Sequence, residues 1–167
     1  MEGLKRLRVA NHTFDLGEYL QGLLRCGALD RGLGPIGAGN AKAAYFAPCH
    51  QRQQGIGQPW TELLGLVPDL AVEGLGDGFD CCGQGGLMGF KRDFHATSLR
   101  IGARLLDKVR ATAPERLTTD CLSCRLQFQQ ALPVAVAHPV ELLRAAYRAF
   151  RREAFGVAKA EENGACE

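Results

Sequence analysis

Two cysteines side by side, in Asp80-Cys81-Cys82-Gly83-Gln84-Gly85-Gly86, constrain this chain more than any other stretch. Neighbouring cysteines cannot easily share one disulfide, because the bridge needs a wider separation of its two Cα atoms. Cys49 stands upstream of the pair, and Cys121-x-x-Cys124 stands downstream. The result is five thiols in three clusters, one then two then two. The pattern points to all five converging on one metal centre, so the fold must bring three distant stretches to one place.

At 167 residues the chain fits one domain and needs neither metal nor disulfides merely to find a core. A hydrophobic share of 46% and a charged share of 23% are ordinary for a globular protein. A net charge of +2 gives no footprint for nucleic acid or for an anionic membrane. No run approaches the roughly 18 apolar residues of a spanning helix. Met1-Glu2-Gly3-Leu4-Lys5-Arg6 is not followed by the apolar stretch of a secretory signal. The expected compartment is therefore the reducing cytoplasm, where seven cysteines argue for metal or catalysis and against a disulfide framework. Cys26, near a helix end, and Cys166, the penultimate residue, fall outside the clusters and read as bystanders.

Along the chain, an N-terminal helical lead-in (1–41) precedes a cysteine-rich body (42–152) and a flexible tail (153–167). Residues 3–12 read as a short strand or a frayed turn. Thr13 or Asp15 caps a first helix whose Leu16, Tyr19, Leu20, Leu23 and Leu24 form one apolar stripe. Gly32-x-Gly34-x-x-Gly37 matches a dinucleotide fingerprint in form only: it precedes the first good strand, and Pro35 stands where a helix would begin. From Lys42 the rhythm is strand, loop, helix. Strands are expected at 42–47, 70–75, 116–119 and 134–137, with helices at 59–66, 96–112, 121–132 and 139–158 and a short helical turn within 85–92. Such alternation implies βαβ units, hence an α/β, Rossmann-like layered fold: a mostly parallel sheet of about four strands flanked by helices. Ligands of such sheets bind beyond the carboxyl ends of the strands. Cys49, Cys81 with Cys82, Cys121 and His138 each follow one of the four strands, which places the expected metal site at that edge.

Four thiolates satisfy a tetrahedral zinc, and iron–sulfur clusters also take cysteine thiolates. A fifth thiol is superfluous for zinc and useful where one sulfur bridges two metals. A metal-free dithiol using Cys121 and Cys124 is the third alternative. Gly83 and Gly86 give a loop without side chains whose N–H groups can reach sulfur. His50 and His138 read as turn or cap residues, and their placement at the same edge leaves a supporting role beside the ligands, or in proton handling, open. Arg144, Arg148, Arg151 and Arg152 make a basic stripe on the last helix, either a solvated face or a dock for an acidic partner or membrane surface.

Tyr45-x-x-Pro48-Cys49-His50, Cys81-Cys82-Gly83-x-x-Gly86-x-x-Gly89-Phe90-Lys91, Thr119-Asp120-Cys121-x-x-Cys124 and His138-Pro139-x-Glu141-Leu142-Leu143 together resemble the cysteine-rich CCG domain. Its family includes the cysteine-rich subunits of heterodisulfide reductase, glycolate oxidase and anaerobic glycerol-3-phosphate dehydrogenase. The resemblance implies a non-cubane [4Fe–4S] cluster, or alternatively a zinc ion, on Cys49, Cys81, Cys82, Cys121 and Cys124. It further implies an electron-transfer domain or subunit of a flavin-linked or heterodisulfide-reductase-like oxidoreductase, with a flavoprotein or ferredoxin-like iron–sulfur partner. Peripheral attachment at the inner face of the membrane, through a partner, is compatible with that role. The chain departs from the family in carrying one copy of the motif and in having Phe46 where a histidine is usual.

Overall fold

The computed structural model describes residues 2–37, 39–86 and 88–162, with side chains as far as 154. Four strands, β1 (Ala41–Phe46), β2 (Leu70–Leu75), β3 (Arg116–Thr118) and β4 (Ala135–Ala137), form one sheet in the order β2-β1-β3-β4. Every pairing is parallel, with Phe46 opposite Leu75, Tyr45 opposite Thr118 and Thr118 opposite Ala137. The mostly parallel sheet expected from the sequence is thus wholly parallel among the described residues. The carboxyl ends of all four strands lie in register along one edge.

Helices fill the crossovers: α3 (Cys49–Arg52) and α4 (Pro59–Leu64) after β1, α5 (His95–Thr112) after β2, α6 (Leu122–Ala131) after β3, and α7 (Pro139–Glu162) after β4. The alternation of side chains along β1 divides them between two cores. Ala43 and Tyr45 face the layer of α4 and α7, with Trp60, Leu63, Leu142, Leu143 and Ala146. Ala44 and Phe46 face α5 and α6, with Leu105, Val109, Leu117 and Phe128. Burial on both faces explains why β1 reads as a continuous apolar run. Phe46 and Phe128 meet edge to face, with ring centroids 5.5 Å apart.

The lead-in differs from expectation. Residues expected as a strand or frayed turn form α1 (Glu2–Ala10), of which no residue is buried. Glu2 in its first turn and Arg8 in its last oppose the helix dipole, and Glu2 pairs with Arg6 one turn on. Local charge, with no help from packing, therefore sets this element. Next, α2 (Leu16–Arg25) starts where the capping signal predicts, its Gly17 N–H donating to the Asp15 carboxylate at 2.9 Å. Cys26 is its C-cap. The helical turn expected within 85–92 is a run of turns leading to a 3-10 turn at Arg92–Phe94. α3 was not foreseen; four residues are too few to show a period in sequence. α7 runs on to Glu162, into the stretch expected as a tail, and Cys166 lies outside the described residues.

Replacing Phe128 with alanine is expected to cost about 3–5 kcal/mol, since the ring is fully buried against Phe46. Leu4→Ala and Leu7→Ala on α1 should change stability by less than about 0.5 kcal/mol. Urea unfolding of the three variants checks both expectations.

Candidate metal centre

The parallel sheet delivers its strand ends to one edge, and the cysteines sit just past them. Cys49 opens α3, Cys81 and Cys82 lie in the loop after β2, Cys121 caps the amino end of α6, and Cys124 lies in that helix's first turn. All five line one cavity of about 220 Å³. Phe46, His50 and Gln84 complete much of its remaining wall. Cys82 and Cys124 are buried, Cys81 and Cys121 half-buried, and Cys49 exposed at the mouth.

Short bonds tie the three clusters together. Cys124 Sγ donates to Cys82 Sγ at 3.0 Å. Arg52 donates through Nη1 to the Ala47 carbonyl at 2.6 Å, and through Nη2 to the Asp80 carbonyl just before the cysteine pair. Its guanidinium lies over the Phe46 ring. Gln51 donates to Asp120 Oδ2 at 3.0 Å, beside Cys121, and accepts from the Tyr45 hydroxyl at 2.6 Å. Two adjacent residues of α3 therefore link the first cluster to each of the others.

The cysteine-pair loop is anchored to α5. Gly83 has a φ of +87°, and a Cβ on it would stand 2.0 Å from the Ser98 carbonyl oxygen. A Cβ on Gly102 would stand 2.5 Å from the Cys82 carbonyl oxygen. The two backbones can meet only because both positions are glycine. The Ser98 hydroxyl donates to the Gly83 carbonyl at 2.8 Å, and the Gly83 N–H donates to Cys81 Sγ at 3.3 Å. Just upstream, the buried Asp80 carboxylate pairs with Lys108 at 2.7 Å and Arg104 at 3.3 Å, so two cations of α5 hold the loop from the other end.

The thiols are electrostatically uneven. The hydrogen bond from the Cys124 thiol lowers Cys82 to about 7. Cys121 is lowered to about 5 by its contact with the Cys124 side chain, with the Cys124 N–H and His50 adding to the drop. Cys124, its one proton held among the neighbouring Cys121 and Cys82 sulfurs and itself buried, is raised. Burial raises Cys81 against the opposing Gly83 N–H. Burial also pushes Asp120 up to about 6, with Asp15 adding to the rise. Two positions thus favour thiolate, the ligating and nucleophilic form, and the amino end of α6 adds partial positive charge beside Cys121.

Of the residues expected around the thiols, His50 and Gly86 line the cavity and Gly83 bonds to Cys81. His138 is not part of the lining; its Nδ1 accepts the Val140 N–H at 3.1 Å and its ring stands edge-on to Trp60, as a cap of α7. Sequence reasoning missed Gln51, Arg52, Gln84 and Ser98. The only signal for the first two is that they share a turn with Cys49. Among the described residues, no three His, Cys, Asp or Glu side chains are gathered tightly enough for a single ion.

A protein-family model described as the CCG cysteine-rich domain matches residues 43–129, a span that includes all five clustered cysteines and ends before His138. Among curated proteins, a subunit of the anaerobic glycerol-3-phosphate dehydrogenase of Escherichia coli is 33% identical over 102 residues, 61% of this chain and 25% of the relative. Lactate utilization protein A 1 of Bacillus mycoides is 27% identical over 146 residues, 83% of this chain and 56% of the relative. The chain therefore spans between a quarter and about half of the length of these relatives. No solved structure matches.

Gly83→Ala should destabilise the protein by about 3 kcal/mol, near the upper end for single substitutions, because the added carbon meets backbone. Gly86→Ala, with open space around it but a φ of +59°, should cost about 1–2 kcal/mol. Thermal melting of both variants distinguishes the contact from the conformational cost.

Proposed function

This chain belongs to the CCG family of cysteine-rich domains, and from that premise we propose that it carries an iron–sulfur centre and passes electrons as part of an oxidoreductase. The observation that carries the reading is the single cavity lined by all five cysteines. Its donor chemistry fits such a group. Sulfur is abundant, two thiols are lowered toward thiolate, a backbone N–H already bonds one sulfur, and Gly85 and Gly86 leave part of the wall free of side chains. A fifth thiol in the lining favours a cluster over a zinc ion, which four thiolates already satisfy.

Cys49, Cys81, Cys82, Cys121 and Cys124 are the proposed ligands, and the fifth favours the non-cubane [4Fe–4S] type. When bound, such a centre supplies reversible one-electron chemistry. Gly83 N–H and His50 offset charge on the sulfurs, while Phe46 and Gln84 limit water at the inner wall. Cys49, exposed at the mouth, marks where a redox partner would approach. A flavoprotein or a further iron–sulfur protein is the proposed partner, in keeping with relatives named as a dehydrogenase subunit and a lactate utilization protein. No described helix is long and apolar enough to cross a membrane, so membrane association would run through such a partner. The cytoplasm is the proposed compartment.

Anaerobic reconstitution with iron and sulfide should give visible absorption, and the reduced protein an electron paramagnetic resonance signal. Serine at any of the five positions should lower bound iron, whereas Cys26→Ser should leave it unchanged. A colourless protein with one zinc per chain would replace this reading with a structural zinc module. No metal at all, with rapid alkylation of Cys121, would replace it with a dithiol.

A further inference from the structure

A second cleft runs between α2 and α7, on the helical layer opposite α5 and α6. It has a volume of about 420 Å³, and Leu20, Leu29, Val140, Leu143 and Tyr147 form its apolar floor. Arg144, Arg148 and Arg151 line its rim. Their spacing of four and three residues places them on one helical face, spread along about 10 Å of axis. Ion pairs elsewhere engage Arg25, Arg104, Arg110 and Arg125, but among the described residues none engages these three. Three like charges held together without a counterion repel one another, and an apolar floor beneath them stays wet at a cost. Both are relieved by the same occupant.

We propose that this cleft receives an acidic amphipathic helix of a partner protein, its carboxylates against the three arginines and its apolar residues on the floor. Helix-in-groove recognition uses anchors at i, i+3, i+4 and i+7, the spacing that the arginines present. A lipid surface fits less well. Interfacial helices bury apolar side chains that stand proud of the charges, whereas Leu143, at the floor, is only 4% exposed and recessed between two helices. Because α7 begins at the sheet edge that carries the cysteines, a helix seated here has one end at that edge. The proposal rests on the arginines and the floor, and not on what the five thiols hold.

The test uses the full chain and a synthetic helical peptide with glutamates at i, i+4 and i+7 and leucines on the adjoining face. Nuclear magnetic resonance of the 18.1 kDa protein should show shifts at Leu20, Leu29, Val140 and Tyr147 on adding the peptide. R144E/R148E/R151E should weaken binding at least about tenfold, and a lysine-substituted peptide should bind that variant while ignoring the natural chain. R144Q/R148Q/R151Q, which only removes charge, should give a smaller loss and guards against misfolding of the reversal. Arg100→Glu, on the exposed face of α5, should change nothing. Peptide binding insensitive to both triple variants, or shifts confined to other surfaces, would overturn the proposal. So would vesicles containing phosphatidylserine that bind through the same arginines while the peptide does not.

Discussion

The backbone at Cys82 and Gly83 lies against Ser98 and Gly102 of α5 with no room for a Cβ on either Gly83 or Gly102. Much of the site depends on this contact. It holds the paired cysteines under the strand ends, turns Cys82 inward to meet Cys124, and leaves Cys81 facing the cavity with a backbone N–H on its sulfur. The Asp80 carboxylate, caught between Lys108 and Arg104, prevents the loop from pivoting about that contact. Loop and helix are therefore one unit, and the placement of the paired cysteines inherits the rigidity of an 18-residue helix.

α3 does the complementary task on the other side. Its four residues contain Cys49, His50, Gln51 and Arg52, and each turns to a different job. Cys49 stands at the mouth, His50 beside Cys121, Gln51 on Asp120 and Arg52 on the carbonyl before the cysteine pair. A short helix in which successive side chains diverge by about 100° is well suited to tying three separated loops at one point. The tie is polar and largely buried, so its bonds are strong for their number and costly to lose.

Much of this was legible in the sequence because it rests on period and spacing. Alternating strands and helices gave the layered sheet, and the rule that ligands gather beyond carboxyl ends drew Cys49, Cys81, Cys82, Cys121 and Cys124 to one edge. What escaped was of two kinds. α1 has no buried face, and its apolar pair, Leu4 and Leu7, is too short a pattern to mark a helix in the sequence. Gln51, Arg52 and Ser98 act through contacts across the fold, and beyond the turn that the first two share with Cys49 nothing in their neighbours distinguishes them from solvated residues. His138, read from the sequence as a turn or cap residue, does cap α7, and its imidazole is not part of the cavity lining.

The position of β1 inside the sheet, with β2 on one side and β3 on the other, has a consequence for biogenesis. A chain made from its amino end can pair β1 with β2 and dock α5 before β3 exists, and that unit brings together three of the five thiols. Cys121 and Cys124 arrive only when β3 adds to the opposite flank of β1, a contact of long sequence separation and thus among the slower to form. A nascent chain therefore gathers an incomplete set of thiols until the sheet closes, and the complete cavity becomes a report that the fold is finished.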